Sequence, residues 1–335
     1  MEVNINKIDL LIKKLPDQIW STIEGTWSQS TAWPEFINAM QLIIPRGGSK
    51  GIDVEQDSSK WAVLPGLCCQ AAGGQAEWAN DIAAAWLLFY IAADIMDTIE
   101  DLDQPDAWWE ELGPGAAINI ASGLYFTATR ILDQLYHKQP TRKSAGEIVE
   151  KVIDGFLIMC SGQQIDLIRD RFTLDEYWKT SAAKSGEFFG MACWAGARVN
   201  QSDPAKLDCY QDFGKHLGLL IQILDDLEEF QNLHNLITEL EWKNIRKALP
   251  VIYTLEVVQE PAKTHYIECL NRAHLEPLAV EEVIRIMEEC GVVIYLLAEI
   301  ERNSNSALAS LGSAGPETNA AQYLAGMIER LKSRA

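Results

Sequence analysis

Apolar residues recur at intervals of three and four along most of the chain, with polar residues between them. This period is that of α-helices with one buried face, whereas the alternating runs typical of strands are few. Proline and glycine interrupt the pattern at several points, such as Gly113-Pro114-Gly115 and Ser202-Asp203-Pro204, where loops between helices are expected. The pattern therefore predicts an all-α protein whose helices pack as a bundle.

The interruptions are short enough to be loops rather than domain linkers, so we expect a single domain over residues 1–335. Its parts are predicted as N-terminal helices and a loop over about 1–59, a core over 60–260, and C-terminal helices over 261–335. The polar, glycine-containing stretch from Pro45 to Ser59 is expected to be a long loop. A second loop is expected from Asn303 to Asn319.

The composition is acidic, because 28 Lys and Arg stand against 48 Asp and Glu, for a formal net charge of −20. A broad basic face for a phosphate backbone is not expected, so nucleic acid is excluded as a partner. The longest apolar run, Ile82 to Ala93, is shorter than the about 20 residues that a membrane-spanning helix needs. It predicts a buried core helix and no stable membrane insertion.

The N-terminal residues lack a basic segment followed by an apolar stretch, so no secretory signal is expected. The 7 cysteines are irregularly spaced, and the 5 histidines form no zinc-binding pattern. These features predict a cytoplasmic protein without a transition-metal site.

The apolar run leads into a first acidic cluster, Asp94-Ile-Met-Asp97-Thr-Ile-Glu100-Asp101. Asp94, Asp97 and Asp101 are three and four residues apart, so on a helix their carboxylates share one face. Like charges placed this way repel each other unless a cation neutralises them. Hard oxygen ligands that leave room for water and phosphate oxygens are typical of Mg²⁺ sites.

A second acidic cluster also follows an apolar stretch, and there Gln222, either Asp225 or Asp226, and Glu229 share a helical face. A charge run is usually a solvated helix end, and this alternative applies to each cluster taken alone. Two such clusters, each at the end of an apolar helix, favour a magnesium site that holds a diphosphate above an apolar pocket.

Several short motifs occur in an order and spacing that resemble the trans-isoprenyl diphosphate synthase superfamily, over roughly Lys60 to Glu256. In chain order they are Leu64 to Gly74 (LPGLCCQAAGG), Asp97-Thr98-Ile99-Glu100-Asp101 where the family has its first DDxxD, Gly162-Gln163-Gln164-Ile165-Asp166, Lys184-Ser185-Gly186, the stretch from Phe213-Gly214 to Glu229, and Lys247-Ala248-Leu249-Pro250. Each motif alone is weak evidence, but their order and spacing together are specific.

The resemblance implies an isoprenoid synthase-type helical bundle around a central cavity that holds a prenyl chain. It also implies a prenyl diphosphate as the small-molecule partner, three Mg²⁺ ions between the two acidic helices, and a homodimer. The residues that it places in the site are the metal ligands Asp97, Asp101 and Asp225, with Asp226 and Glu229 in support; Lys184 and Arg246 on the diphosphate; and Gln222 and Gln163 near the reacting allyl group. Asp94 and Glu100 are further candidates, and Asp166 is a metal ligand, an internal helix cap or a buried hydrogen-bond acceptor.

The chain departs from the elongating members of the superfamily, which bind isopentenyl diphosphate through a GGKxxRP stretch and an arginine pair after the first acidic motif. Here Leu64 takes the place of the arginine in the first stretch, and two acids and two tryptophans follow Asp101. A second diphosphate would meet negative charge there, without a guanidinium fork to hold it. Elongation is therefore disfavoured.

We accordingly expect a class I terpene synthase that ionises a prenyl diphosphate with Mg²⁺ and releases a hydrocarbon or an alcohol. The small Ala92 and Ala93 before the first acidic motif favour a C20 substrate, then C15, and a bicyclic diterpenyl diphosphate is a further option. The alternative is a prenyltransferase, either elongating with isopentenyl diphosphate or acting on a non-prenyl acceptor. A third hypothesis is a non-catalytic partner subunit, which would not need the charged residues.

Overall fold

The computed structural model describes residues 5–43, 58–100, 113–236 and 238–335. Within these ranges the regular secondary structure is helical, so the all-α prediction is confirmed. Asp101 and most of the loop predicted from Pro45 to Ser59 lie outside the described residues.

The described helices of the N-terminal half are α1 (Ile5–Ser28), α2 (Pro34–Ile43), α3 (Leu64–Ala71), α4 (Asn80–Glu100), α5 (Pro114–Asp133) and α6 (Ala145–Ile168). In the described part of the N-terminal half, 3₁₀ segments lie between several helices, such as Ala76–Ala79 between α3 and α4. The predicted break at Gly113-Pro114-Gly115 is the start of α5, where Pro114 begins the helix because its fixed φ suits the first helical turn.

The helices of the C-terminal half include one five-residue π-helical turn, Ala182–Gly186, which joins α7 to α8 without a break. They are α7 (Leu174–Ser181), α8 (Glu187–Arg198), α9 (Pro204–Gln231), α10 (Glu239–Asn244), α11 (Leu249–Val257), α12 (Ala262–Arg272), α13 (Pro277–Glu289), α14 (Val292–Ala314) and α15 (Asn319–Lys332). A π-helical turn inside a helix is rare and often marks a functional site.

Residue contacts group the chain into two compact units, and the predicted single domain stays a prediction. The first unit comprises Met1–Asp154, Met191–Asp212 and Ser310–Ala325, and the second comprises Gly155–Gly190, Phe213–Ala309 and Gly326–Ala335.

The core of the first unit is built around α4, which packs chiefly against α5 and also against α1 and α3. The α4 residues from Asp81 to Phe89 are buried, as the apolar run predicts. The stretch Ala76–Glu100 is long and apolar enough by length and composition to cross a membrane, but 61% of its apolar window is buried. Such burial is typical of a core helix in a soluble protein.

In the second unit α9 approaches the π-helical turn and the first turn of α8 so closely that only glycine fits at the two contacts. A Cβ atom at Gly218 would lie 2.2 Å from the carbonyl oxygen of Ser185, and one at Gly214 would lie 2.4 Å from that of Phe189. The Gly214-to-Gly218 spacing puts both glycines on one face of α9, one turn apart. This face continues to Gln222 and the second acidic cluster.

The loop predicted from Asn303 to Asn319 is wrong over its first part, because α14 continues to Ala314. Asn303 and Ser304 are buried, and the Asn303 side chain donates to the Glu299 carbonyl oxygen at 2.9 Å. Its Oδ1 lies 3.0 Å from Nδ1 of His216 on α9. Polar side chains with such partners are compatible with a buried helix face, which composition alone does not reveal.

Candidate active site

The first acidic cluster occupies the last two turns of α4, where Asp94 and Glu100 are exposed and Asp97 is partly buried. Although Asp94 reaches solvent, its pKa is raised, first because neighbouring atoms displace water and then because the negative charge of Asp97 is close. The Thr98 hydroxyl, where the family motif has an aspartate, donates to the Asp94 carbonyl oxygen at 2.8 Å within its own helix. The carboxylates of Asp94 and Asp97 thus repel each other, and a bound cation would relieve that repulsion.

Aromatic side chains lie further back on α4, away from the acidic end. Trp86 and Phe89 line a narrow apolar cavity of about 10 Å³ together with Met191 of α8. A volume of this size holds about one water molecule. The Phe89 ring also packs against Tyr125 of α5, with ring centroids 5.8 Å apart.

The second acidic cluster occupies α9, where adjacent aspartates differ completely in environment. Asp225 and Glu229 are exposed, whereas Asp226 is only 3% exposed. Asp226 Oδ2 accepts hydrogen bonds from the Tyr177 hydroxyl at 2.5 Å and from the Leu249 backbone N–H at 3.0 Å, and Oδ1 accepts from Gln222 Nε2 at 3.3 Å. Asp226 therefore points into the protein and Asp225 towards solvent.

Burial raises the pKa of Asp226 to about 6, and the hydrogen bonds from Tyr177, Leu249 and Gln222 oppose that rise. A carboxylate that accepts several hydrogen bonds is stabilised in its charged form. At neutral pH the ionised form of Asp226 therefore predominates, held by its donors.

A pair of lysines converges on Asp166 at the end of α6. Lys184 Nζ, from the π-helical turn, lies 2.7 Å from Asp166 Oδ2. Lys247 Nζ donates to the Asp166 carbonyl oxygen at 2.5 Å and lies 3.6 Å from Oδ1. All three side chains are about one-fifth to one-quarter exposed, so two positive charges and one negative charge share a partly open site.

The π-helical turn contains Lys184 and Ser185 and determines the direction of their side chains. A capping box fixes the start of α7, since Thr173 and Glu176 bond each other's backbone N–H. At the other end of α7 the wider π turn places Ser185 so that its hydroxyl donates to Gln222 Oε1 at 3.0 Å. Because Gln222 uses its oxygen for Ser185, its NH₂ group faces Asp226.

The structure distinguishes two neighbouring cations before α11. Arg246 Nη2 donates to the Leu270 carbonyl oxygen of α12 at 3.2 Å, whereas Lys247 reaches Asp166. The role of Arg246 on the diphosphate stays a prediction, and Lys247, which begins the Lys-Ala-Leu-Pro motif, is a further candidate that the sequence analysis did not select. Gln163 lies partly buried on α6, one turn before Asp166.

Among the described residues, no group of three His, Cys, Asp or Glu side chains is arranged to hold a metal ion. The described carboxylates of each acidic helix end therefore need further oxygen donors to complete a site. Mg²⁺ fits this donor set, because it retains water ligands and takes phosphate oxygens alongside one or two carboxylates.

The chain is similar to several characterised proteins. A family model described as polyprenyl synthetase matches residues 66–287. The geranylgeranyl diphosphate synthase of Mycobacterium tuberculosis is 30% identical over 176 residues, which are 50% of this chain and 48% of that protein. The chain thus spans about half the length of this relative.

Broader coverage is seen with two further proteins. A short chain isoprenyl diphosphate synthase of Methanothermobacter thermautotrophicus is 26% identical over 285 residues, 80% of this chain and 81% of that protein. The crystal structure of geranylgeranyl pyrophosphate synthetase from Pyrococcus horikoshii superimposes with a TM-score of 0.81 at 16% identity, covering 99% of this chain and 98% of that one. The expected isoprenoid synthase fold is therefore confirmed.

Proposed function

Since the chain belongs to the polyprenyl synthetase family, we propose that it is an enzyme that ionises an allylic prenyl diphosphate and transfers the prenyl group to an acceptor. In this reaction the allylic C–O bond breaks and the diphosphate leaves with the electron pair. The π electrons of the acceptor then form the new bond, and a proton is lost.

The observation that carries the proposal is the convergence of Lys184 and Lys247 on a partly open site beside the second acidic helix. Two ammonium groups next to each other serve as point charges for a diphosphate. Asp166 holds both amines in place before the substrate arrives, and the diphosphate then competes for them.

Asp97 and Asp101 of the first cluster, and Asp225 and Glu229 of the second, are the ligands that we propose for Mg²⁺. When bound, it supplies charge stabilisation for the departing diphosphate. Gln222, whose amide is held by Ser185 and Asp226, lies one turn from Asp225 on α9 and is proposed to lie near the reacting allyl group.

The choice of a transferase rests on the relatives, which are named as a geranylgeranyl diphosphate synthase and a short chain isoprenyl diphosphate synthase. The small Ala92 and Ala93 support a pocket for a C20 chain, and the name of the Mycobacterium relative gives a C20 prenyl diphosphate as that protein's product. The acceptor is either isopentenyl diphosphate or a non-prenyl molecule.

A second candidate is a class I terpene synthase, which quenches the carbocation without an acceptor. It is favoured by Leu64, which is fully buried at the start of α3 where elongating members are expected to carry an arginine. A buried leucine supplies no cation for a second diphosphate.

A homodimer is also proposed, because α6 carries an exposed apolar stripe. Ile153 and Leu157 are 51% and 62% exposed, and Cys160 continues the stripe one turn further on. Contiguous exposed apolar surface of this kind is typical of a protein interface. The matching stripe of a second copy is a suitable partner for it.

One experiment separates these functions. The purified protein is incubated with Mg²⁺ and a C10, C15 or C20 prenyl diphosphate, with and without isopentenyl diphosphate, and diphosphate release and products are measured by mass spectrometry. Release that depends on isopentenyl diphosphate supports elongation, and release of a hydrocarbon or alcohol from one substrate supports the terpene synthase. No diphosphate release under any condition, with Mg²⁺ present, contradicts the ionisation of these simple substrates.

A further inference from the structure

Helix α11 begins without a cap from its own segment. The residue before it is Ala248, which has no side-chain hydrogen-bonding group, and Pro250 lies in the first turn. The Leu249 N–H is instead bonded by Asp226 Oδ2 of α9, at 3.0 Å. A carboxylate at a helix N-terminus accepts an otherwise orphaned N–H and interacts favourably with the helix dipole.

The Tyr177 hydroxyl of α7 holds the same carboxylate oxygen from another side, at 2.5 Å. Both side chains are buried. The pKa of Tyr177 is raised, chiefly by burial and further by the charge of Asp226. The phenol therefore keeps its proton and donates a hydrogen bond to Asp226. One carboxylate thus joins α7, α9 and the start of α11.

These contacts place Asp226 between two groups of the proposed site. Lys247 lies two residues before Leu249, so the position of the α11 N-terminus determines where its amine meets Asp166. Gln222 lies one turn before Asp226 and donates to its other oxygen. Both oxygens of Asp226 are therefore engaged by protein donors, whereas neighbouring Asp225 is exposed.

We propose that Asp226, held by Tyr177, is a positioning residue that caps α11 to place Lys247 and orients Gln222, and that it is not a metal ligand. The inference rests on the proposed function, since it assigns Lys247 to the diphosphate. It makes Tyr177 a residue on which diphosphate binding depends, although Tyr177 lies on α7, which carries none of the proposed metal or diphosphate ligands.

The test uses inorganic diphosphate as the probe, titrated calorimetrically into the full chain at saturating Mg²⁺, and Mg²⁺ titrated at saturating diphosphate. The variants are Asp226→Asn, Tyr177→Phe, Lys247→Ala and Asp225→Asn. Tyr136→Phe, at an exposed tyrosine of the first unit, is the matched control for loss of a phenol. Circular dichroism confirms that each variant is folded.

We expect Tyr177→Phe and Asp226→Asn to weaken diphosphate binding about tenfold, as Lys247→Ala does, while the Mg²⁺ half-saturation stays within about twofold of the parent. Asp225→Asn should instead raise the Mg²⁺ half-saturation by at least about tenfold, and Tyr136→Phe should change neither. A general loss of structure would lower the number of binding sites rather than the affinity of those that remain.

Two results would overturn the inference. One is an Asp226→Asn variant that raises the Mg²⁺ requirement as Asp225→Asn does while Tyr177→Phe has no effect. The other is additive losses in the Asp226→Asn, Lys247→Ala double variant, since a residue that acts through Lys247 adds little once Lys247 is gone. Failure of the proposed function is distinguishable, because the parent protein itself would then show no Mg²⁺-dependent binding of diphosphate.

Discussion

Replacement of Gly218 by alanine tests the close contact between α9 and the π-helical turn. The added Cβ would lie 2.2 Å from the Ser185 carbonyl oxygen and 2.7 Å from its carbonyl carbon. Both atoms belong to backbone inside a continuous helix, so they cannot move without shifting the turn. We expect the π-helical turn and α9 to separate and the bond from Ser185 to Gln222 to break.

The change in the free energy of unfolding caused by Gly218→Ala is the sum of three effects. Overpacking a tight contact costs about 1–3 kcal/mol, and the upper end applies where backbone must move. The lost hydrogen bond adds about 1 kcal/mol, and the better helix propensity of alanine returns about the same amount. The free energy of unfolding should therefore fall by about 3 kcal/mol, with a parallel loss of activity.

Urea unfolding followed by circular dichroism measures the change, and Gly312→Ala provides the matched control. Gly312 also lies inside a helix, but a Cβ there meets no atom within 4 Å. Its replacement should raise the free energy of unfolding by about 0.5–1 kcal/mol through helix propensity alone. If Gly218→Ala stabilises the protein as Gly312→Ala does, the close contact is refuted.

Other variants test the remaining assignments. Lys247→Ala should raise the KM for the prenyl diphosphate by about tenfold or more. Arg246→Ala should chiefly lower the melting temperature, because Arg246 donates to the Leu270 carbonyl oxygen. The same KM in both variants would contradict this assignment. Asp225→Ala should abolish Mg²⁺-dependent diphosphate release while the helical circular dichroism signal persists, and full activity would remove Asp225 from the metal site. Leu157→Glu on α6 should convert a dimer into a monomer in analytical ultracentrifugation, whereas Leu278→Glu, at an 82% exposed leucine of α13, should not; a dimer that survives Leu157→Glu would place the interface elsewhere.

The period of the apolar residues determines the helical class of this protein, because each helix must bury one face whatever its neighbours are. The same holds for the acidic clusters, since carboxylates three and four residues apart share a face of any helix. The sequence pattern gives a wrong prediction at Asn303, where the polar composition predicts a loop but α14 continues to Ala314. The side chain there is satisfied by Glu299 and lies beside His216, a contact made far along the chain.

The roles of adjacent residues were decided by tertiary structure. Asp225 and Asp226 are chemically identical, and Arg246 and Lys247 are both cations, so their position in the sequence does not show which member of each pair makes which contact. Neighbouring side chains on a helix point about 100° apart, so the rotation of α9 determines which aspartate meets Tyr177 and which meets solvent. That rotation is set by the contact of Gly218 with the π-helical turn, which depends on residues more than thirty positions away.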